Sequence, residues 1–500
     1  MIRSIVVPAL LLPSLALAQA TPEAPLAEAP AVEAPPAEAP PAEAPPADAP
    51  SADVPSAEGP SPSLSSTTDP APTIAEPAVS TETPIVVVPP AAGPLEAVGL
   101  TPTFDGRLYG YIETFFEQDA ATPIGVDAAG NTIFQDNPYE WDIFNLHAMV
   151  QGTVFGRFRY FLNFASPKSG SVIEDAPLLV RNAWVEAPLF GDLLNVRVGK
   201  TYRRFGLYNE ILDAAPTFIG IEPPEIFDND HLMLTRTTNL MLHGRLTSGD
   251  SLVSYALMTG NDEKAGFQIP LGADLSYEYG STLKIGTSFY WTGGPAGPSR
   301  DIGEGSPAGG VVNWMAKDEY VVVGGYSQLT AFDLTLQLEG WVAPHTAERD
   351  PDRVLALVDA GLNPRQLERF GLDVLVPDKS DVPVKVQYVV ATFYARAGYS
   401  LLFQPEGWAE PLELVPYAQF DYFSNPEIVA NKDFGGDNEA GLSDDGVFYK
   451  ATLGVVFRPV PAVALKIDGS THTQLFNEEW VTYPEVRVSF SYFWELGGLR

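Results

Sequence analysis

The chain has 500 residues, a formal net charge of −35 and no cysteine, and its mean hydropathy is +0.00. It therefore offers no thiol for a disulfide or a lipoprotein-type lipid anchor, and its charge argues against a nucleic-acid partner, which needs a basic face. No apolar run reaches the eighteen or so residues of a membrane-spanning helix.

Residues 1–20, MIRSIVVPALLLPSLALAQA, carry one early base (Arg3), an apolar stretch and the small-residue site Ala18-Gln19-Ala20. That layout predicts a secretory signal peptide. Residues 21–100 repeat Ala, Pro and Glu, as in EAPPAEAPPAEAPPADAP. Such a segment buries too little surface to offset its ordering entropy, so a disordered periplasmic arm rich in polyproline II is expected. The arm holds twelve acids and the leader one base, which leaves 28 bases against 52 acids, or −24, in 101–500.

From 101 onward the sequence alternates with period two in short segments rich in Val, Leu, Phe, Tyr and Thr, the signature of strands with one apolar face. Sixteen strands are predicted, at 104–117, 143–154, 157–166, 178–187, 193–200, 232–246, 251–259, 267–279, 282–291, 319–328, 332–343, 385–403, 411–423, 447–458, 462–475 and 485–495. Short connections such as FGR, YGST and LTAFD alternate strictly with long ones, which fill 118–142, 201–231, 292–318, 344–384 and 424–446. An even count with alternating short and long connections is the pattern of an outer-membrane barrel, with apolar rows facing lipid. A soluble β-sandwich, the competing all-β reading, gives no reason for it. Three units follow: a signal peptide at 1–20, the arm at 21–100 and a transmembrane antiparallel β-barrel at 101–500.

Two stretches carry a family resemblance. VRNAWVEAPLFGDLLNVRVGKTYRRFGLYNE and NLMLHGRLTSGDSLVSYALMTGND resemble the phosphate-selective porins O and P of Gram-negative outer membranes, the first in its Gly-Lys before Phe-Gly, the second in its Leu242-His243-Gly244. The resemblance implies a sixteen-stranded pore, usually trimeric, with bases lining an anion path. Two departures stand out: Arg203 and Arg204 occupy a place where many members have Pro, and the last aromatic is Trp494 rather than the final residue.

Alternation assigns side chains to the lumen once the apolar row is set against lipid. Leu194, Val196 and Val198 face out, which turns Arg197 inward. The same rule turns Arg107, Arg157, Arg159, Arg245, Lys284, Arg396, Lys450, Lys466 and Arg487 inward, against the fewer acids Glu113, Glu186, Glu339, Asp421 and Asp468. A lumen with such an excess of bases would favour anions, and Arg suits oxyanions through its two-pronged fork. The bland alternative is that these bases pair with inward acids across neighbouring strands. The connection 201–231 is expected to fold inward as a constriction loop, bringing Lys200, Arg203 and Arg204 into the lumen opposite Glu210, Asp213, Glu222 and Glu225. In 344–384, Asp350-Pro351 to Gly361 and Asn363-Pro364 to Gly371 punctuate two short helices. The acidic run 432–445 reads as a solvated loop that could also bind Ca²⁺ or bridge lipopolysaccharide.

No G-x-S-x-G, P-loop or H-E-x-x-H occurs, and His147, His231, His243, His345 and His472 are scattered. An enzyme is therefore not expected, and neither a cofactor nor a metal centre. Expected partners are outer-membrane lipid and lipopolysaccharide, small anionic solutes, two further copies in a homotrimer, and a cell-wall or periplasmic partner of the arm. A tether built on the arm and a general or cation-favouring pore are the alternative functions.

Overall fold

The computed structural model describes residues 104–499 apart from 119–120, 127–130, 136–138, 167–178, 210–218, 222, 225–235, 261–268, 296–311, 313, 360, 373–376 and 430–437. The predicted signal peptide and arm lie outside the described residues.

Sixteen antiparallel strands form one closed barrel. They are β1 (Phe104–Gln118), β2 (Tyr139–Val154), β3 (Phe158–Ser166), β4 (Leu179–Pro188), β5 (Asn195–Tyr202), β6 (Arg236–Ser248), β7 (Ser251–Gly260) and β8 (Leu271–Tyr279). The other half is β9 (Leu283–Pro295), β10 (Met315–Ala331), β11 (Leu334–Arg349), β12 (Lys385–Tyr399, continued by Leu401–Phe403), β13 (Leu412–Ser424), β14 (Val447–Val460), β15 (Val463–Phe476) and β16 (Glu479–Leu499). Each strand pairs with its neighbours in sequence. The ring closes through β1, where Tyr111 lies opposite His147 of β2 and Phe493 of β16. Closure satisfies every sheet edge, which a strand in lipid requires.

The two faces separate cleanly. In β15, Ala464, Lys466, Asp468, Ser470, His472 and Gln474 are buried, while Leu465 and Ile467 stand exposed between them. An apolar row outside and a polar row inside is the period-two pattern of a barrel in lipid. Two of the short connections are tight turns: Phe155–Arg157 joins β2 to β3, with φ of 55° and 59° at Phe155 and Gly156, and Phe332 and Asp333, at φ of 54° and 63°, join β10 to β11. Left-handed dihedrals at both positions match the strand twist and close a hairpin without splaying it.

The structure differs from the sequence reading at several places. The alternation of connection lengths is not strict, because Asn477 and Glu478, both at positive φ, join β15 to β16 in a two-residue turn on the side of the long loops. The first long connection contains a small hairpin, Pro123–Val126 against Thr132–Phe134. Where the described residues reach into 432–445, they do not form a solvated loop. Asn438–Leu442 is a helical turn, and Ala440, Ser443 and Asp444 are buried.

The predicted helix pair forms as α1 (Pro351–Asp359) and α2 (Pro364–Arg369). Asn363 caps α2 through its side chain, which accepts from the Gln366 N–H, and Gln366 returns the bond to the Asn363 N–H. Val354 and Leu357 of α1 are buried in a continuous apolar cluster with Trp314, Phe370, Tyr320 and Tyr388. That cluster extends inside the barrel to Trp341, Phe205 and Tyr208. Much of the interior along β9–β12 is thus packed with side chains.

Candidate functional site: the barrel lumen

Strand β5 ends at Tyr202, and the chain then turns inside the ring rather than over its rim. Arg203 is buried with its guanidinium 4.1 Å from the Tyr290 ring centroid on β9. The Arg204 N–H meets the Met258 sulfur on β7 at 3.1 Å. Gly206 N–H donates to Ser288 Oγ at 3.2 Å, and Leu207 N–H to Glu339 Oε1 at 3.0 Å. The Phe205 ring packs on Trp341 at 4.3 Å, and Tyr208 meets Tyr394 edge-on. Further along, Gly220 and Ile221 reach Lys466 and Asp468 on β15. The described parts of this connection therefore follow the inner wall from β7 to β15 and narrow the lumen on that side. Lys200 does not travel with them. It belongs to β5, opposite Ala183, on the same outward row as Val198 and Val196. Glu210, Asp213, Glu222 and Glu225 lie outside the described residues.

Most predicted lumenal bases face a carboxylate. Glu186 gathers three groups: Arg159 at 2.5 Å, Arg197 at 2.8 Å and His243 Nε2 at 2.8 Å. Their assembly follows from register, since Glu186 opposes Arg197 on β5, Arg159 on β3 also opposes Glu186, and Asn195 opposes His243. Arg197 stacks over Trp184 with 4.1 Å to the centroid, and Arg159 leaves about half of its side chain, 49%, exposed. A second cluster surrounds Glu485, which binds Arg487, His472 at 3.1 Å and Lys450 at 3.6 Å. Arg487 also reaches Glu117 at 3.1 Å. Lys284 pairs with Glu278 at 3.2 Å, and Arg245, on the rim, with Asp192 at 3.0 Å. Arg396 is buried, donates to Gln419 and lies 4.9 Å from the Tyr208 ring. Arg107 is exposed at the start of β1 on its inward row. Arg157 is part of the exposed turn before β3, because that strand begins at Phe158 rather than 157.

The predicted twofold excess of bases over acids is not what the lumen holds. Glu117, Asp274, Glu278, Asp318, Glu413 and Glu485 share the inward rows, as do the bases Arg349 and Arg458. Only Asp318 lay beyond a predicted strand end, because β10 starts at Met315 rather than 319. Glu117, Asp274, Glu278, Glu413 and Glu485 fall inside the predicted strands, and their places on the inner rows were not counted in the sequence reading. Several carboxylates are held by neutral donors: Glu113 by Asn145 and Ser489, Asp274 by Ser288 and Tyr326, Glu339 by Tyr394 and a backbone N–H. Such donors stabilise a buried charge without cancelling it. The nitrogens of His243 and His472 that are placed face carboxylates, Glu186 and Glu485.

No family model and no curated protein matches the chain. Among solved structures it is similar to a loop-deletion form of OmpT, an outer membrane protein of Vibrio cholerae, at 12% identity, covering 79% of this chain and 99% of that one with a TM-score of 0.45. It is similar to an anion-selective porin from Comamonas acidovorans at 12% identity, covering 78% and 99% with a TM-score of 0.42. It is also similar to the outer membrane channel DcaP of Acinetobacter baumannii at 10% identity, covering 78% and 97% with a TM-score of 0.43. Likeness of this degree adds nothing to the barrel geometry above, and function has to be read from the chain's own lumen.

Proposed function

We propose that this barrel is a porin of the Gram-negative outer membrane, a passive diffusion channel that favours small oxyanions such as phosphate. The observation that carries the pore reading is the connection after β5, which lies inside the ring against a polar inner wall. A barrel serving only as an anchor has no need of an inward loop. The oxyanion preference is supported by the arrangement at Glu186, where two guanidiniums and an imidazole converge on one carboxylate and Arg159 stays half exposed. An oxyanion approaching it meets a fork of donors with net positive charge. The leader-like residues 1–20 support export, and homotrimer assembly belongs to the same proposal.

A second reading, a general or cation-favouring pore, is favoured by Glu113 and Glu339, which accept from Asn145, Ser489, Tyr394 and a backbone N–H. Reversal potentials across a planar bilayer under a salt gradient separate the two. The expected sign is that of an anion-favouring channel, reduced by phosphate. A cation-favouring sign would install the second reading, and absence of any conductance would remove both.

A further inference from the structure

Two inward rows run side by side across β3, β4 and β5, towards the end of the barrel that carries the short turns. In the first, Arg159 opposes Glu186, which opposes Arg197. In the second, at the next inward position of each strand, Phe161 opposes Trp184, which opposes Gly199. The first row is charged and the second is aromatic. The Phe161 and Trp184 rings lie 5.7 Å apart between centroids. Both are only partly buried, whereas Asn163 and Asn182, the inward residues that follow them on β3 and β4, are buried. The rings therefore present apolar surface to the aqueous lumen, surface that a flat apolar body can cover.

We propose that the two rows form one cradle for aromatic carboxylates, in which Arg159 holds the carboxylate and the Phe161–Trp184 pair carries the ring. This rests on the porin reading and names the class of oxyanion that the lumen holds longest. Two residues along a strand span about 7 Å at ~3.4 Å per residue, the reach of a guanidinium-bound carboxylate joined directly to a ring.

Each part of the cradle has its support. The Arg159 Nη2 is held by Glu186 at 2.5 Å and by Asn195 at 2.9 Å, and 49% of the side chain stays exposed to a solute. Arg197 ties the rows together, since it pairs with Glu186 at 2.8 Å and lies 4.1 Å from the Trp184 ring centroid. That stacking orients the indole. Two guanidiniums against one carboxylate leave the charged row net positive, so it draws an anion. A bare oxyanion engages the first row alone and a neutral ring the second alone, whereas an aromatic carboxylate engages both.

The test uses the full-length protein refolded in detergent and titrated calorimetrically with benzoate, acetate and cyclohexanecarboxylate, with empty micelles as the blank. The parent should bind benzoate about fivefold or more tighter than acetate, and tighter than cyclohexanecarboxylate, whose puckered ring cannot lie flat on the two side chains. Trp184→Leu and Phe161→Leu should each bring the benzoate-to-acetate ratio down towards one. Arg159→Gln should weaken benzoate by about fivefold or more, and it serves if the ring variants do not refold. A parent with no preference for benzoate over acetate overturns the cradle. So does a preference that survives both ring substitutions, or a benzoate affinity untouched by Arg159→Gln. If the parent passes no ions in a planar bilayer, the porin reading falls, while the titrations still decide the cradle.

Discussion

Glu186 is the residue on which lumenal charge balance turns. It is buried, it opposes both Arg197 and Arg159 in register, and His243 completes the ring around it. Burial holds back the charged form of a carboxylate, while adjacent cations restore it. Glu186→Gln keeps the shape and an acceptor for Arg197 but removes one negative charge facing two guanidiniums. At an effective dielectric of about 20, a unit charge about 8 Å from a passing ion is worth roughly 2 kcal/mol before screening. The variant should therefore raise the chloride-to-potassium permeability ratio by about threefold or more, read from reversal potentials at low salt, with the effect shrinking as salt is added. Alternation alone turned Arg159, Arg197 and Glu186 inward. Their convergence was hidden, because it depends on the register of three strands, and a one-residue slip reverses every side chain.

At the element scale the helix pair was legible because its signals are local. Asn363 as N-cap, Pro364 at the first helical position and Gly371 at positive φ sit where they were predicted. The capping box satisfies two N–H groups that a free helix end leaves open. Asn363→Ala should cost about 1 kcal/mol locally. Faster amide exchange at Gln366 and Leu367, with the barrel strands unaffected, is the expected reading. Asn363 Nδ2 also donates to Asp444 Oδ1 at 3.2 Å, so the same substitution should loosen the segment after α3 (Asn438–Leu442). The inward loop is the opposite case. Its sequence suggested a constriction only by its position in the order of strands. Its actual partners lie as many as 247 residues away, as with Ile221 and Asp468, and no local pattern encodes such a distance.

Over the whole molecule, the barrel is capped by loops that interlock on a single hub. Arg349, at the end of β11, forms a two-pronged pair with Glu427 at 2.9 and 2.6 Å and donates to the Phe370 carbonyl at 2.7 Å. Arg369 donates to the Ile428 carbonyl at 2.5 Å, and burial lowers its guanidinium to about 10, still charged at neutral pH. The pair thus ties the connection after β11 to the one after β13. Removing one partner strands a buried charge, which costs about 3–5 kcal/mol, whereas replacing both with apolar groups of similar volume is often near neutral. Arg349→Met should therefore make the capping loops markedly more sensitive to protease in folded protein, and Arg349→Met with Glu427→Met should largely restore resistance. Equal sensitivity of the two variants would show that the pair does not organise the cap.

By itself the sequence determined the closed barrel, because a period-two apolar row over sixteen segments has no other way to satisfy its edges in lipid. It also determined which face most strand residues take, and the caps of α2. Only the tertiary structure decided what those inward residues do. The bases expected to form a free basic lining are mostly matched by carboxylates such as Glu186 and Glu485, and Lys466 serves the backbone of the loop. One strand end mattered: β10 starts at Met315 rather than 319, which brings Asp318 onto the inner row. The predicted strand starts at 485, yet β16 begins at Glu479 and runs through Pro484. Alternation is local and survives in one dimension, but pairing is a property of the closed ring.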